Sequence, residues 1–244
     1  MLTTVTEAWQ MVVPPPGDRH GPLSPLLLGL TVITGLVDAF SYLVLVHVFV
    51  ANMTGNVVFL AFALAGARGF SLAASALALG AFALGAVASG RFVAHLGERR
   101  GRMLAVTSTC QAVLVATAMI IAWSVTDVGT GASRYVLVLL LALGSGMQTG
   151  TARKLAVPDL TTTVLTQTIT GAAFDSRLAG GTNSRIGRRG FSAVAMFVGA
   201  LIGAFTVIRV DEPLGLLLAL VLLTAVAGSA ALLSRSHPTW DRAA

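Results

Sequence analysis

The sequence predicts an all-α, polytopic membrane helix bundle with six transmembrane spans, two short broken or re-entrant segments and a 3+3 inverted repeat. Three observations lead there. Hydrophobic residues make up 55% of the 244 residues and charged residues 11%, with a mean hydropathy of +0.85. A soluble domain carries about 25% charged residues, so most of this surface does not face water. Six apolar stretches approach or exceed the about 20 residues needed to cross a hydrocarbon core of about 30 Å. Nearly all basic residues fall between those stretches.

Residues 1–24 are polar and Pro-rich through Pro14, Pro15 and Pro16, without an apolar core; they predict a disordered tail and not a secretory signal peptide. A single membrane domain is expected over 25–234, with halves at about 25–126 and 133–234 and a short tail at 235–244. The spans are expected at about 26–48, 71–95, 103–125, 135–151, 191–209 and 214–233. Apolar segments at about 55–66 and 160–174 are too short to cross comfortably, and each begins in polar sequence.

Charge placement decides how those short segments are treated. With six crossings and a cytoplasmic N-terminus, inside segments carry twelve basic residues, including Arg99, Arg100, Arg102, Arg153 and Lys154, and outside segments carry only Arg68, Arg134 and Arg209. If both short segments crossed, the Arg99–Arg102 cluster would move outside, against the positive-inside bias. Both termini are therefore expected in the cytoplasm. The net charge of +6 is accounted for by this orientation, and no aromatic-interleaved basic patch suggests nucleic acid.

The halves are similar in plan. A span through Gly35 and Asp38 runs to a break at Asn52–Asn56; a span through Gly144, Gly146 and Gln148 runs to a break at Pro158 and Asp159. Gly35 to Thr54 and Gly144 to Thr163 are both nineteen positions. Each half then continues with a short piece and two full spans. Three crossings per half invert one half relative to the other, the pattern of a secondary transporter with its site at the repeat interface.

Asp38 is the only acid in the apolar run Leu26–Val50 and lies near its midpoint. A carboxylate at bilayer depth costs about 2.5–3.5 kcal/mol on insertion scales and is a functional candidate by default. Thr31, Thr34, Gly35, Asp38 and Tyr42 share one helical face. Asp38 is read as a proton or cation site; the bland alternative is an acid that merely ties helices together. Asn52, Thr54, Gly55 and Asn56 are read as a helix start whose free N–H groups bind a solute or anion, or else as an ordinary turn. Asp159, Thr163 and Thr166, with Gln148 beside them, are their expected counterparts across the midplane; the alternative is threonines bonded to their own helix carbonyls.

Small residues at Ala81, Gly85 and Ser89, and at Ala195, Gly199 and Gly203, recur every four positions and predict close helix packing, within one chain or between copies in a homo-oligomer. Cys110 is the single cysteine, so no intramolecular disulfide or cysteine metal cluster forms. No metal, organic cofactor or catalytic residue is expected. Gly144-Ser145-Gly146 lacks a well-placed general base, and His47 and His95 lie near span ends.

The runs Thr34-Gly35-Leu36-Val37-Asp38-Ala39-Phe40-Ser41-Tyr42 and Phe49-Val50-Ala51-Asn52-Met53-Thr54-Gly55-Asn56, with Gly146-Met147-Gln148, Ala152-Arg153 and Val157–Thr166, resemble the signature of the YoaK-type bacterial integral membrane family. The resemblance covers about 25–233 and implies a six-span inner-membrane protein of unknown function. It supplies no substrate. The expected function is movement of a small solute, anionic or proton-coupled; the competing class is a non-transporting scaffold or a lipid- or partner-binding protein.

Overall fold

The computed structural model describes residues 6, 9–15, 18, 20–45, 47–97, 99–157, 165–176, 179–181, 186–236 and 238–241. These residues form α1 (Leu23–Val44), α2 (Met53–Leu64), α3 (Leu72–Leu96), α4 (Arg100–Ser124), α5 (Gly131–Leu155), α6 (Leu165–Phe174), α7 (Ile186–Arg209), α8 (Leu214–Ser236) and α9 (Pro238–Asp241). Helices α1, α3, α4, α5, α7 and α8 are each long and apolar enough to cross a membrane. Their lipid-facing residues, among them Leu84, Ile120, Phe197 and Phe205, remain exposed on the bundle, as side chains in a hydrocarbon solvent do. The chain is a multi-pass membrane protein whose outer surface meets the bilayer.

The apolar window of α1 is 78% buried and that of α7 only 22%, so α1 runs through the middle of the bundle and α7 along its edge. Polar residues of α1 therefore face protein. Thr31 and Thr34 donate to the carbonyls of Leu27 and Leu30 one turn earlier, which satisfies their hydroxyls inside the helix.

Chain direction follows from the bundle ends. Trp240 of α9 packs on Gly21, just before α1, and Asp241 bonds the start of α4. Arg100 donates to the carbonyl of Leu155 at the end of α5. The beginnings of α1 and α4 and the ends of α5 and α8 thus share one face. The segment 45–71 begins and ends on the opposite face, where the His47 ring lies 3.1 Å from the Gly69 carbonyl oxygen. Helix α5 ends on the first face, and α7, which packs parallel to α1, begins there. The two short helices, α2 and α6, are attached at opposite ends of the bundle.

Helix packing in a bilayer lacks a strong hydrophobic drive and depends on close backbone approach. The most extensive contacts are α3 with α5 and α1 with α7, then α4 with α8. Under the exchange of α1–α4 for α5–α8, the first two pairs turn into each other and the third into itself. The same exchange relates α4·α5 to α1·α8, α2·α3 to α6·α7, and α3·α4 to α7·α8.

The close approaches repeat in register. A methyl at Gly35 would collide with the Met196 carbonyl oxygen, and one at Gly146 with that of Phe82. A methyl at Gly199 would meet the Val32 carbonyl oxygen, and one at Gly85 that of Leu143. Residues 32 and 35 are thus matched with 143 and 146, and residues 82 and 85 with 196 and 199. The register expected from the nineteen-residue spacing, Gly35 with Gly144, is not the one the packing uses. Gly144 faces α4, where a Cβ would lie 3.1 Å from Gln111 Cγ. The expected small-residue stripes serve packing within the chain.

The first span ends at Val44, earlier than the expected 48. The apolar run continues to Val50, but its last residues unwind and fold back. Asp38 therefore lies in the last third of α1 and not at a helix midpoint.

Candidate functional site

Past Val44 the chain turns at Leu45, takes a positive φ of 53° at His47, and runs back along α1 without helical hydrogen bonds. Buried backbone without helical hydrogen bonds needs other partners from the protein. Two buried side chains provide them. Asn56, in the first turn of α2, accepts from the Phe49 N–H at 2.9 Å and donates to the Phe49 carbonyl at 2.6 Å. Asp38 Oδ1 accepts from the N–H groups of Val50 at 3.0 Å and Ala51 at 2.8 Å. Asp38 Oδ2 accepts from the Asn52 side-chain amide at 2.6 Å.

The Asp38 carboxylate is thus held by the three residues that lead into α2, whose N-terminal dipole end is positive. The sequence offers that helix start as a solute- or anion-binding site or as an ordinary turn; in the structure the Asp38 carboxyl group occupies its approach, bonded to residues 50–52. Asp38 is 3% exposed and Asn56 is fully buried.

Tyr42, one turn beyond Asp38, stacks on Phe49 with ring centroids 4.9 Å apart, and Phe49 stacks on Phe59 at 5.6 Å. Phe59 in turn contacts Phe70 at 5.2 Å. This aromatic layer closes the hairpin above Asp38. Gly55 fits under it, because a Cβ there would come within 2.7 Å of the Phe49 ring. Thr54 does not cap α2: the helix begins at Met53, its N-cap position is Asn52, and Thr54 is exposed.

A second polar cluster lies on the same face of α1, one turn towards its start. Gln148 Nε2 donates to Thr34 Oγ1 at 2.9 Å and to the Leu30 carbonyl at 3.1 Å. Gln111 Nε2 of α4 donates to Gln148 Oε1 at 2.8 Å. The chain of amides ends at Gln111 Oε1, which is buried with no partner. Gln148 is therefore tied to α1 and α4 and makes no bond to Asp38 or the break.

The structure brings Asp38, Tyr42, Asn52, Gly55 and Asn56 together and leaves Thr54 at the surface. Thr166, in α6, is exposed. Asp159 and Thr163 lie outside the described residues. Among the described residues, no three His, Cys, Asp or Glu side chains gather as a metal site. Sequence reasoning passed over Gln111, though a lone amide inside an apolar span was a usable signal. It also missed Phe49 as the hub of the break, because the aromatic layer joins residues distant in helical phase.

With this geometry in hand, comparison with known proteins gives a consistent answer. Residues 26–229 match the family model described as protein of unknown function, DUF1275. The chain is 31% identical over 144 residues to the UPF0700 transmembrane protein YoaK of Bacillus subtilis (strain 168), a match covering 59% of this chain and 63% of that relative. The chain thus spans less than two thirds of that relative's length. No solved structure matches. The family match takes in both short helices and all or most of each of the six long ones, and the chain belongs to the DUF1275 family.

Proposed function

We propose that this protein is a secondary transporter of a small solute, built as an inverted repeat, and that the geometry described is its closed state. The observation that carries the reading is the exchange of packing partners between the halves, with Gly35·Met196 matched by Gly146·Phe82 and Gly199·Val32 by Gly85·Leu143. Interrupted segments attached at opposite ends of such a repeat are the sequence pointer to a transport site.

Asp38 is the coupling residue in this reading. Its carboxylate holds the unwound strand 50–52 against α1 through charge-assisted hydrogen bonds, which are about twice as strong as neutral ones. Protonation removes the charge and one acceptor oxygen, which loosens the strand and frees the start of α2. Coupling to protons fits this arrangement better than direct binding of an anion, since Asp38 already supplies the negative group. The protein sits in the bacterial plasma membrane in this reading, with the Arg99–Arg102 face in the cytoplasm, and it moves solute without catalysing a reaction.

A second reading is favoured by one observation. Asp38, Asn52 and Asn56 are all engaged in holding the break together, as a non-transporting scaffold would require. Flux separates the two. Purified protein in liposomes under an imposed pH gradient is expected to move at least one solute of a broad panel, and Asp38→Asn to remove the dependence on the gradient. No movement of any solute, with a folded protein, decides for the scaffold.

A further inference from the structure

We infer that the C-terminal helix α9 is a latch that holds the two halves together on the face carrying the Arg99–Arg102 cluster. Helix α4 starts without a cap of its own: the Arg99 side chain makes no capping hydrogen bond. Its cap comes from the far end of the chain. Asp241 Oδ1 accepts from the Gly101 N–H at 2.6 Å, and Oδ2 accepts from Arg99 Nε at 3.0 Å. A carboxylate at a helix start meets both free N–H groups and the positive end of the dipole.

Trp240 supplies the apolar part of the same contact. Cβ atoms built at Gly21 and Gly101 would lie 3.2 Å and 2.7 Å from its side chain, so the indole fills a notch between two glycines. Gly21 leads into α1 and Gly101 opens α4, two helices of the first half; α9 follows α8, the last helix of the second. Trp240 and Asp241 are 6% and 1% exposed.

Any motion that parts α8 from α1 and α4 on this face must withdraw Asp241 from Gly101 and Trp240 from its notch. The indole Nε1 is buried without a hydrogen-bond partner among the described residues. The latch sets how readily this face opens, whether or not a solute moves.

The experiment reads that opening directly. Ser234 lies beneath the latch, 8% exposed, with its Cβ 2.8 Å from a Cβ built at Gly101. Ala74, 1% exposed, lies near the start of α3 on the other face. Each is replaced by cysteine in the full chain with Cys110→Ser, in lipid nanodiscs that leave both faces open to a water-soluble maleimide. Trp240→Ala and Asp241→Ala are each expected to raise the labelling rate at Ser234→Cys by about ten-fold or more, because labelling follows the open population. Ala74→Cys is expected to keep its rate. An unchanged rate at Ser234→Cys overturns the latch, and so does an equal rise at both reporters, which would mean general loosening.

Discussion

Asn56 forms with Phe49 the pair of hydrogen bonds that a neighbouring β-strand would supply: its amide accepts from the Phe49 N–H and donates to the Phe49 carbonyl, at 2.9 and 2.6 Å. One side chain replaces a whole strand edge. That is how an extended run of backbone persists beside six apolar helices.

Asn56→Leu removes both partners at once and leaves the Phe49 groups buried and unpaired. Each such group costs about 1–3 kcal/mol. Thermal unfolding in detergent should therefore show a clear loss of stability, and the variant should become sensitive to proteolysis between residues 45 and 52. A variant with the wild-type midpoint and cleavage pattern would show that the break does not need this support.

Replacements of Asp38 should fall in a graded order. Asp38→Asn keeps an acceptor for the Val50 and Ala51 N–H groups but loses the charge, at about 1 kcal/mol. Asp38→Ala leaves three donors unmatched and should cost about 2–4 kcal/mol. Cysteine accessibility at Thr54 and midpoints in denaturant measure the order; equal effects of the two substitutions would contradict it.

Glycines of the bundle should divide by what their missing side chain would meet. Gly85→Ala and Gly199→Ala force carbonyls of α5 and α1 apart, and overpacking of this kind costs about 1–3 kcal/mol. A Cβ at Gly80 or Gly90 meets nothing within 4 Å, so Ala there should stabilise by up to about 1 kcal/mol through helix propensity. The matched register also requires that Gly85→Ala and Gly199→Ala have similar effects. Unfolding midpoints of the four single variants test both statements.

The Gln111–Gln148 pair should behave as a coupled unit. Each single change to Leu strands the other amide, while the double change removes both. The double variant is expected to be more stable than the sum of the singles by about 0.6–2 kcal/mol, the range for interhelical hydrogen bonds in bilayers. Additive effects would mean that the 2.8 Å contact carries no net energy.

The long helices were legible because a bilayer imposes a length and a composition on anything that crosses it. Runs such as 71–95 and 214–233 carry that signal on their own, and the observed helices start and stop within a few residues of them. Asp38, Asn52 and Asn56 also stood out, since polar groups in apolar surroundings need a reason to be there. Their partners did not. That Asp38 binds the N–H groups of Val50 and Ala51 depends on the chain reversing after Val44, and an apolar run to Val50 looks the same whether it is helical or folded back. The register that matches Gly35 with Gly146, like the capping of α4 by Asp241, arises from contacts between helices remote in sequence. Composition and spacing set which segments enter the membrane, through transfer energies summed along the chain. Which polar atom each buried group found was left to packing, because a hydrogen bond forms across about 3 Å of space irrespective of the residues between.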